Sequence, residues 1–162
     1  MSGAAPHWVG PDELEARALD ALPADVGGFF AGGAEDEVTL RANRAALRDV
    51  ALLPRVLRDV AERSTATTVL GQRLGIPVLA APIGLMGLAH PDGELAVARA
   101  TRAAGTATVL SAVSTKPVEE VVASAGDGAI VWQQLYLPAD PGAVAEHAAR
   151  AADAGCRALV LT

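Results

Sequence analysis

Residues 76–84 read IPVLAAPIG, and the pattern that follows them decides the fold. The run is apolar along its length and ends in Pro and Gly, as a buried strand does where it runs into a loop. HPDGELAVARATRAAG (90–105) then has helical spacing and a closing glycine. TATVLSAV (106–113) reads as a strand. TKPVEEVVASAG (115–126) reads as a helix with Val118, Val121 and Val122 on one face. AIVWQQLY (129–136) is a third strand. DPGAVAEHAARAADAG (140–155) is a helix with Asp140 and Pro141 suited to its N-cap and first position. CRALVLT (156–162) is a fourth strand, with ALVLT read as buried. The helix-end glycine followed by a strand recurs in AAGTATVLS and DAGCRALVLT. Strands apolar on both faces and joined by helices imply a parallel sheet covered by helices, wound by right-handed crossovers. Two architectures fit: a doubly wound sheet, or half of an eight-stranded β/α barrel, which needs about 250 residues when complete.

Residues 1–75 have a different character. PDELEARALDALP (11–23) has apolar residues at helical spacing, closed by Pro23. ADVGGFFAGGAEDE (24–37) follows as a short segment with glycine pairs flanking Phe29 and Phe30, in a region that reads as mixed and mostly helical. DEVTLRANRAALRDV (36–50) reads as a helix with acids in its first turn and Arg44 and Arg48 towards its end, an order that suits the helix dipole. LLPRVL (52–57) and TTVLGQRLG (67–75) are short β-type runs that together suggest a small hairpin. The expected division is therefore a helical segment with a hairpin over 1–75 and a β/α unit over 76–162.

The chain has 162 residues, of which 51% are hydrophobic and 20% charged, a globular composition with enough length for one core. Net charge is −6, which argues against nucleic acid or an anionic membrane as the main partner. No run reaches 18 apolar residues, and the N-terminus lacks the basic-then-apolar order of a secretory signal, so a cytoplasmic setting is expected. The single Cys156 allows no internal disulfide and reads as an inert thiol at the start of a strand; no metal site is expected.

The chain resembles the N-terminal half of the FMN-dependent 2-hydroxy-acid oxidase and dehydrogenase family, which includes glycolate oxidase, lactate oxidase and mandelate dehydrogenase. The resemblance rests on FFAGGAEDEVTLRANRAAL, LPRVL, TTVLG, IPVLAAP, AHPDGELAVARA, AAGTATVLS, VEEV, QLY and ALVLT occurring in this order, from about residue 12 to residue 162. It implies a TIM-type (β/α)8 barrel of which this chain holds the first four strands, an incomplete domain, with FMN at the C-terminal strand ends.

A barrel places its site where the strands end, here APIG, LSAV, QLY and Thr162. On residue type alone these are polar groups and turns at strand ends. Together at one rim they favour a polar planar ligand. The resemblance assigns the backbone of Pro82, Ile83 and Gly84 to the flavin ring, with Ser111, Gln134 and Thr162 as further flavin contacts; the amide of Gln134 suits the donor–acceptor edge of the pyrimidine ring. Many family members carry Thr and Ala where Ile83 and Gly84 stand. Tyr136, the only tyrosine, matches the residue that hydrogen-bonds the substrate, and it is the one candidate catalytic residue. Phe29 stands where many members have a tyrosine that binds the substrate carboxylate, and Val113 where several place a bulkier side chain.

Among the other polar groups, His90 reads as a structural residue at a helix start. Asp92 and Glu94 are expected to satisfy free helix N–H groups. His147 is expected on an exposed helix face, Lys116 in solvent, and His7 near the terminus.

The reaction implied is oxidation of an L-2-hydroxy acid to a 2-oxo acid. The family's histidine base, carboxylate-binding arginines, lysine near the flavin and phosphate site come from later strands. The chain alone is therefore expected to be inactive, and the full-length protein to be a homo-oligomer acting on a small molecule. A second reading is a non-catalytic half-barrel that binds flavin or assembles with a partner; a different FMN barrel, such as an isomerase, ranks last.

Overall fold

The computed structural model describes residues 10–137 and 140–162, so His7 lies outside them. The chain divides into two compact units, Met1–Asp59 and Val60–Thr162.

The first unit contains α1 (Pro11–Ala21), α2 (Ala24–Ala31) and α3 (Val38–Arg48). Helix α1 opens on Pro11 with Asp12 and Glu13 in its first turn. The glycine-flanked segment over 24–37 holds α2. Gly27 permits this by bringing α2 close to α1: a Cβ there would lie 3.3 Å from Leu19 Cδ2. Helix α3 begins at Val38, so Asp36 and Glu37 precede its first turn rather than occupying it. The carboxylate of Glu37 accepts instead from the Gly33 N–H at 3.1 Å. Arg44 and Arg48 reach back to Glu15 (2.5 Å) and Asp12 (3.9 Å) on α1. LLPRVL forms no strand: Leu52, Leu53, Val56 and Leu57 are exposed. Pro54 has no N–H for a ladder, and Leu57 turns to a φ of 57°.

In the second unit, TTVLGQRL makes the hairpin by itself. β1 (Thr67–Val69) pairs antiparallel with β2 (Gln72–Leu74). Leu70 and Gly71 carry φ of 49° and 73°, as a two-residue turn with both central residues left-handed requires.

β3 (Ala107–Leu110), β4 (Ile130–Leu135) and β5 (Leu159–Leu161) form a parallel sheet in chain order. They alternate with α4 (Gly93–Ala103), α5 (Val118–Ala125) and α6 (Pro141–Asp153), giving a mixed α/β fold. The stretch IPVLAAPIG is not the continuous buried strand expected. Only Ala80 pairs, in a parallel bridge to Thr108, with Ala80 N–H donating to Ala107 O (3.1 Å) and Val109 N–H to Ala80 O (2.9 Å). Pro77 and Pro82 bring no donors, and Val78 is exposed.

The repeated glycine-then-strand pattern has a local cause. Gly105 and Gly155 have φ of 67° and 97°. After α4, Thr106 N–H donates to Thr101 O (2.9 Å) and Gly105 N–H to Arg102 O (3.1 Å). After α6, Cys156 N–H donates to Ala151 O and Gly155 N–H to Ala152 O, both at 2.9 Å. This is the same left-handed helix stop used twice, each delivering the chain into a strand. Asp140 caps α6 as expected, its Oδ1 accepting from Gly142 N–H at 2.9 Å.

Strand parity sorts the side chains. Leu110 and Val131 pack with Ala98, Val118, Val121 and Ala125 under the helices. Ala107, Val109 and Trp132 pack on the other face with Leu74 of the hairpin and, half-buried, Val160. The Trp132 indole N–H donates to Gln72 Oε1 at 3.1 Å, tying the hairpin to that face. ALVLT is not buried as read: Leu159 and Leu161, in register with the helix-side residues Gln133 and Leu135, are exposed because no described helix covers β5 on that face. Gln133 points with the helix-side set. It is fully buried, its amide N–H groups donating to Leu110 O and Gln134 O while Oε1 has no partner among the described residues.

Helices α5 and α6 are joined by a two-pronged ion pair, Arg150 Nε and Nη2 on Glu119 Oε1 and Oε2 at 2.6 and 2.8 Å. Hydrogen bonding from Arg150 lowers the Glu119 carboxyl to about 2 from an ordinary 4.5. A carboxyl lowered in the folded state stabilises that state in its ionised form. The pair's contribution is complete above about pH 4.5 and fades as the pH falls towards about 2. Glu119→Gln is expected to lower stability above about pH 4.5 and to converge on the wild-type value as the pH falls towards about 2, as urea midpoints measured against pH will show.

Candidate functional site

The inner-face parity that seats Val109, Trp132 and Val160 continues one step along each strand to Ser111, Gln134 and Thr162. The structure brings these three together. Gln134 is buried at 2% exposure, and its Oε1 accepts from the Ala112 N–H at 2.8 Å. Its Nε2 donates to Thr162 Oγ1, also at 2.8 Å. Ser111 Oγ, also buried, accepts from the Val113 N–H at 3.2 Å. Each amide end of Gln134 is used once, leaving one N–H and one lone pair. The hydroxyl hydrogens of Ser111 and Thr162 have no acceptor among the described residues. The row therefore presents side-chain donors, and one spare acceptor, along a single rim.

Pro82, Ile83 and Gly84 lie beside this row. Leu85 N–H donates to Val113 O at 3.1 Å, binding the segment after strand one to the segment after β3. A Cβ on Gly84 would stand 2.6 Å from Val113 Cγ2 and 3.7 Å from Ser111 Oγ. Val113 thus occupies the space that an alanine at position 84 would need. Val113 and Tyr136 share a mostly apolar cavity of about 240 Å³ with Leu135, Val144 and His147. Tyr136 is 55% exposed at its mouth. His147 is half-buried along that cavity and not on an open helix face, because α6 turns it towards the strand ends. Phe29 belongs to the first unit, edge-on to Phe30 at 5.1 Å, and its assignment rests on the resemblance alone.

The start of α4 differs from its sequence reading. Asp92 makes no side-chain cap; it pairs with Arg99 at 2.5 Å. His90 Nδ1 accepts from Asp92 N–H at 3.1 Å, a structural role as expected. Glu94 reaches beyond the start of its own helix. It is 4% exposed, and its carboxylate collects Met86 N–H (3.3 Å), Thr115 N–H (2.8 Å) and Thr115 O–H (2.6 Å). Burial alone would raise this carboxyl, but the Thr115 and Met86 hydrogen bonds outweigh it and hold it below the ordinary value. The sequence signal was the spacing of Gly87 and Gly93 around AHPDGE, which the helix-start reading did not use. Lys116 is half-buried and not fully solvated, because it lies in the crevice between α5 and α6. Cys156 is half-buried, and burial with the charge of Glu119 pushes its thiol up to about 11, which keeps it protonated and unreactive. Among the described residues no helix is long and apolar enough to cross a membrane.

Residues 18–162 match the family model described as FMN-dependent dehydrogenase. The 4-hydroxymandelate oxidase of Amycolatopsis orientalis is 41% identical over 155 residues, 96% of this chain and 43% of the relative. Glycolate oxidase 3 of Arabidopsis thaliana is 46% identical over 93% of this chain and 40% of its own length. The L-lactate oxidase of a Nostoc strain is 46% identical over 83% and 37%. The crystal structure of mandelate oxidase with (S)-2-phenylpropionate superposes with a TM-score of 0.91 at 40% identity, over 96% of this chain and 46% of that one. The chain belongs to the FMN-dependent dehydrogenase family of 2-hydroxy-acid oxidases. It spans less than half the length of these relatives.

The exchange of volume between positions 84 and 113 has a measurable consequence. In the full gene product, Gly84→Ala is expected to lower stability by about 1–3 kcal/mol through overpacking against Val113. Val113→Ala in the same chain should recover most of that loss. A double-mutant cycle from urea denaturation, read as coupling between the two sites, checks it.

Proposed function

We propose that this chain supplies one wall of the FMN and substrate site of an enzyme that oxidises an L-2-hydroxy acid to a 2-oxo acid. In this reading residues 76–162 are the first four strands of an eight-stranded β/α barrel. Parallel strands in chain order, without a reversal, support a barrel over a doubly wound sheet. The exposed residues of β5 suit a strand that a further helix would cover.

The observation that carries the proposal is the row of Ser111, Gln134 and Thr162, in which Gln134 bridges the Ala112 N–H and the Thr162 hydroxyl. Its donor set fits FMN: hydroxyl donors at both ends, and an amide in the middle with one donor and one acceptor to spare. These three would hold the polar edge of the ring system, and the Pro82–Gly84 backbone would lie along its face. The two-electron oxidising power for the substrate's α-carbon would come from FMN held by these residues. Tyr136, at the mouth of the cavity it shares with Val113, would donate a hydrogen bond to the substrate's oxygen-bearing end and orient its C–H bond. The apolar wall of that cavity, with valine at position 113, would leave room for a substrate larger than glycolate. The hydroxyl proton needs a base within hydrogen-bond reach, and the resemblance places that histidine in later strands. We therefore propose that the 162-residue polypeptide alone does not turn over. The acidic composition supports a small-molecule substrate over nucleic acid or an anionic membrane.

The test is anaerobic mixing of the purified full gene product with lactate, glycolate and mandelate, followed by flavin absorbance. Bleaching by at least one acid is expected, and no bleaching by any would sink the proposal. Tyr136→Phe should lower kcat/KM by about 10- to 100-fold, the effect of one hydrogen bond lost at a charged substrate. Bleaching by the 162-residue polypeptide alone would refute the inactive-half reading.

A further inference from the structure

Glu94 is a buried carboxylate that the oxidation chemistry does not use, and its three donors come from two different segments. Met86 follows Pro82–Gly84, and Thr115 follows Ser111–Val113. We propose that Glu94 is a positioning residue for the flavin face: it locks the segment after strand one to the segment after β3, and so fixes the gap between Gly84 and Val113. The inference rests on the functional reading above.

The clamp is built from several parts that agree. Both oxygens of Glu94 meet donors only, so an acceptor-only group is required there. Thr115 Oγ1, while donating to Glu94, accepts from the Gly87 N–H at 3.0 Å. Its hydroxyl is therefore used in both senses and cannot rotate freely. The glycines allow the close approach. A Cβ on Gly87 would lie 2.7 Å from Thr115 Oγ1, and one on Gly93 would lie 3.0 Å from Gly87 N. Gly93 also carries a φ of 35°. Leu85, at a φ of 57°, directs its N–H to Val113 O. Glycine at two positions and a left-handed leucine bring the two segments within reach of one side chain. The residues expected against FMN and substrate sit two to four positions from Met86 and Thr115.

An amide at position 94 would keep the bonds from Met86 and Thr115 N–H but turn the third contact around. Nε2 would face a hydroxyl that already accepts from Gly87. Removing the side chain would lose all three bonds.

In the full-length holoenzyme, Glu94→Ala is expected to lower kcat by about 10- to 100-fold, the cost of misplacing a reacting group by a fraction of an ångström to one ångström. Glu94→Gln should fall in between, by about 3- to 10-fold. Both should shift the visible absorbance of bound FMN and its reduction potential, and both should speed hydrogen exchange at Met86, Gly87 and Thr115. Glu119→Gln breaks the exposed pair with Arg150 between α5 and α6 and is expected to lower stability without changing the flavin spectrum. If Glu94→Gln lowers only the melting temperature, as Glu119→Gln does, with kcat, spectrum and potential unchanged, the proposal is wrong. If Glu94→Ala does not fold, the Gln variant decides by the same readouts. A wild-type protein that binds no FMN overturns the functional reading itself, and this inference with it.

Discussion

A parallel pair of strands cannot be closed by a tight turn, and that restriction arranges most of the second unit. Each strand must be followed by a crossover, and the crossovers here are α4, α5 and α6. Every return enters the sheet from the same end, so the segments that leave the strands gather at the opposite end. Strand parity then does the selecting. Val109, Trp132 and Val160 line the inner face beneath the rim, and the next inward positions are Ser111, Gln134 and Thr162. Residues far apart in the chain become hydrogen-bond neighbours because register permits nothing else.

The rim and the scaffold are held by different forces. The scaffold is apolar contact between strand and helix, centred on Leu110, Val121 and Val131. The rim is polar, and its parts are bound to one another by directional bonds: Gln134 between Ala112 and Thr162, and Glu94 between Met86 and Thr115. A buried carboxylate is costly without partners. Here it has three, which makes the spacing of two loops a matter of bond geometry and not of loop flexibility.

Much of this was legible in the sequence, and the limits have physical causes. The helices of the second unit could be read because capping and stop signals are local: Asp140 accepting from Gly142, and Gly105 and Gly155 with positive φ. The rim residues could be located from strand ends and from the family resemblance, although which of them bond to one another could not. Helix α2 was not delimited because its glycine pairs carry no helical signal, whereas Gly27 serves close packing against Leu19. IPVLAAPIG looked like a full strand because apolarity says nothing of donors, and two prolines limit it to one paired residue. ALVLT looked buried because an apolar run does not reveal whether a neighbour lies on its far side. Glu94 looked like a helix-start acid because its partners come from segments far off in the chain, and no local pattern encodes them.

The exchange of space between Gly84 and Val113 bears on how such a site can change over time. With valine present, a methyl group at position 84 has nowhere to go. A lineage moving from alanine-with-another-neighbour to this pair must lose the methyl before the valine arrives, or pass through a crowded intermediate. The space open to a methyl group at position 84 thus depends on the side chain at position 113. A designer wishing to reshape the substrate cavity from the Val113 side would therefore begin at position 84, whose glycine already grants the freedom that the opposite wall can spend.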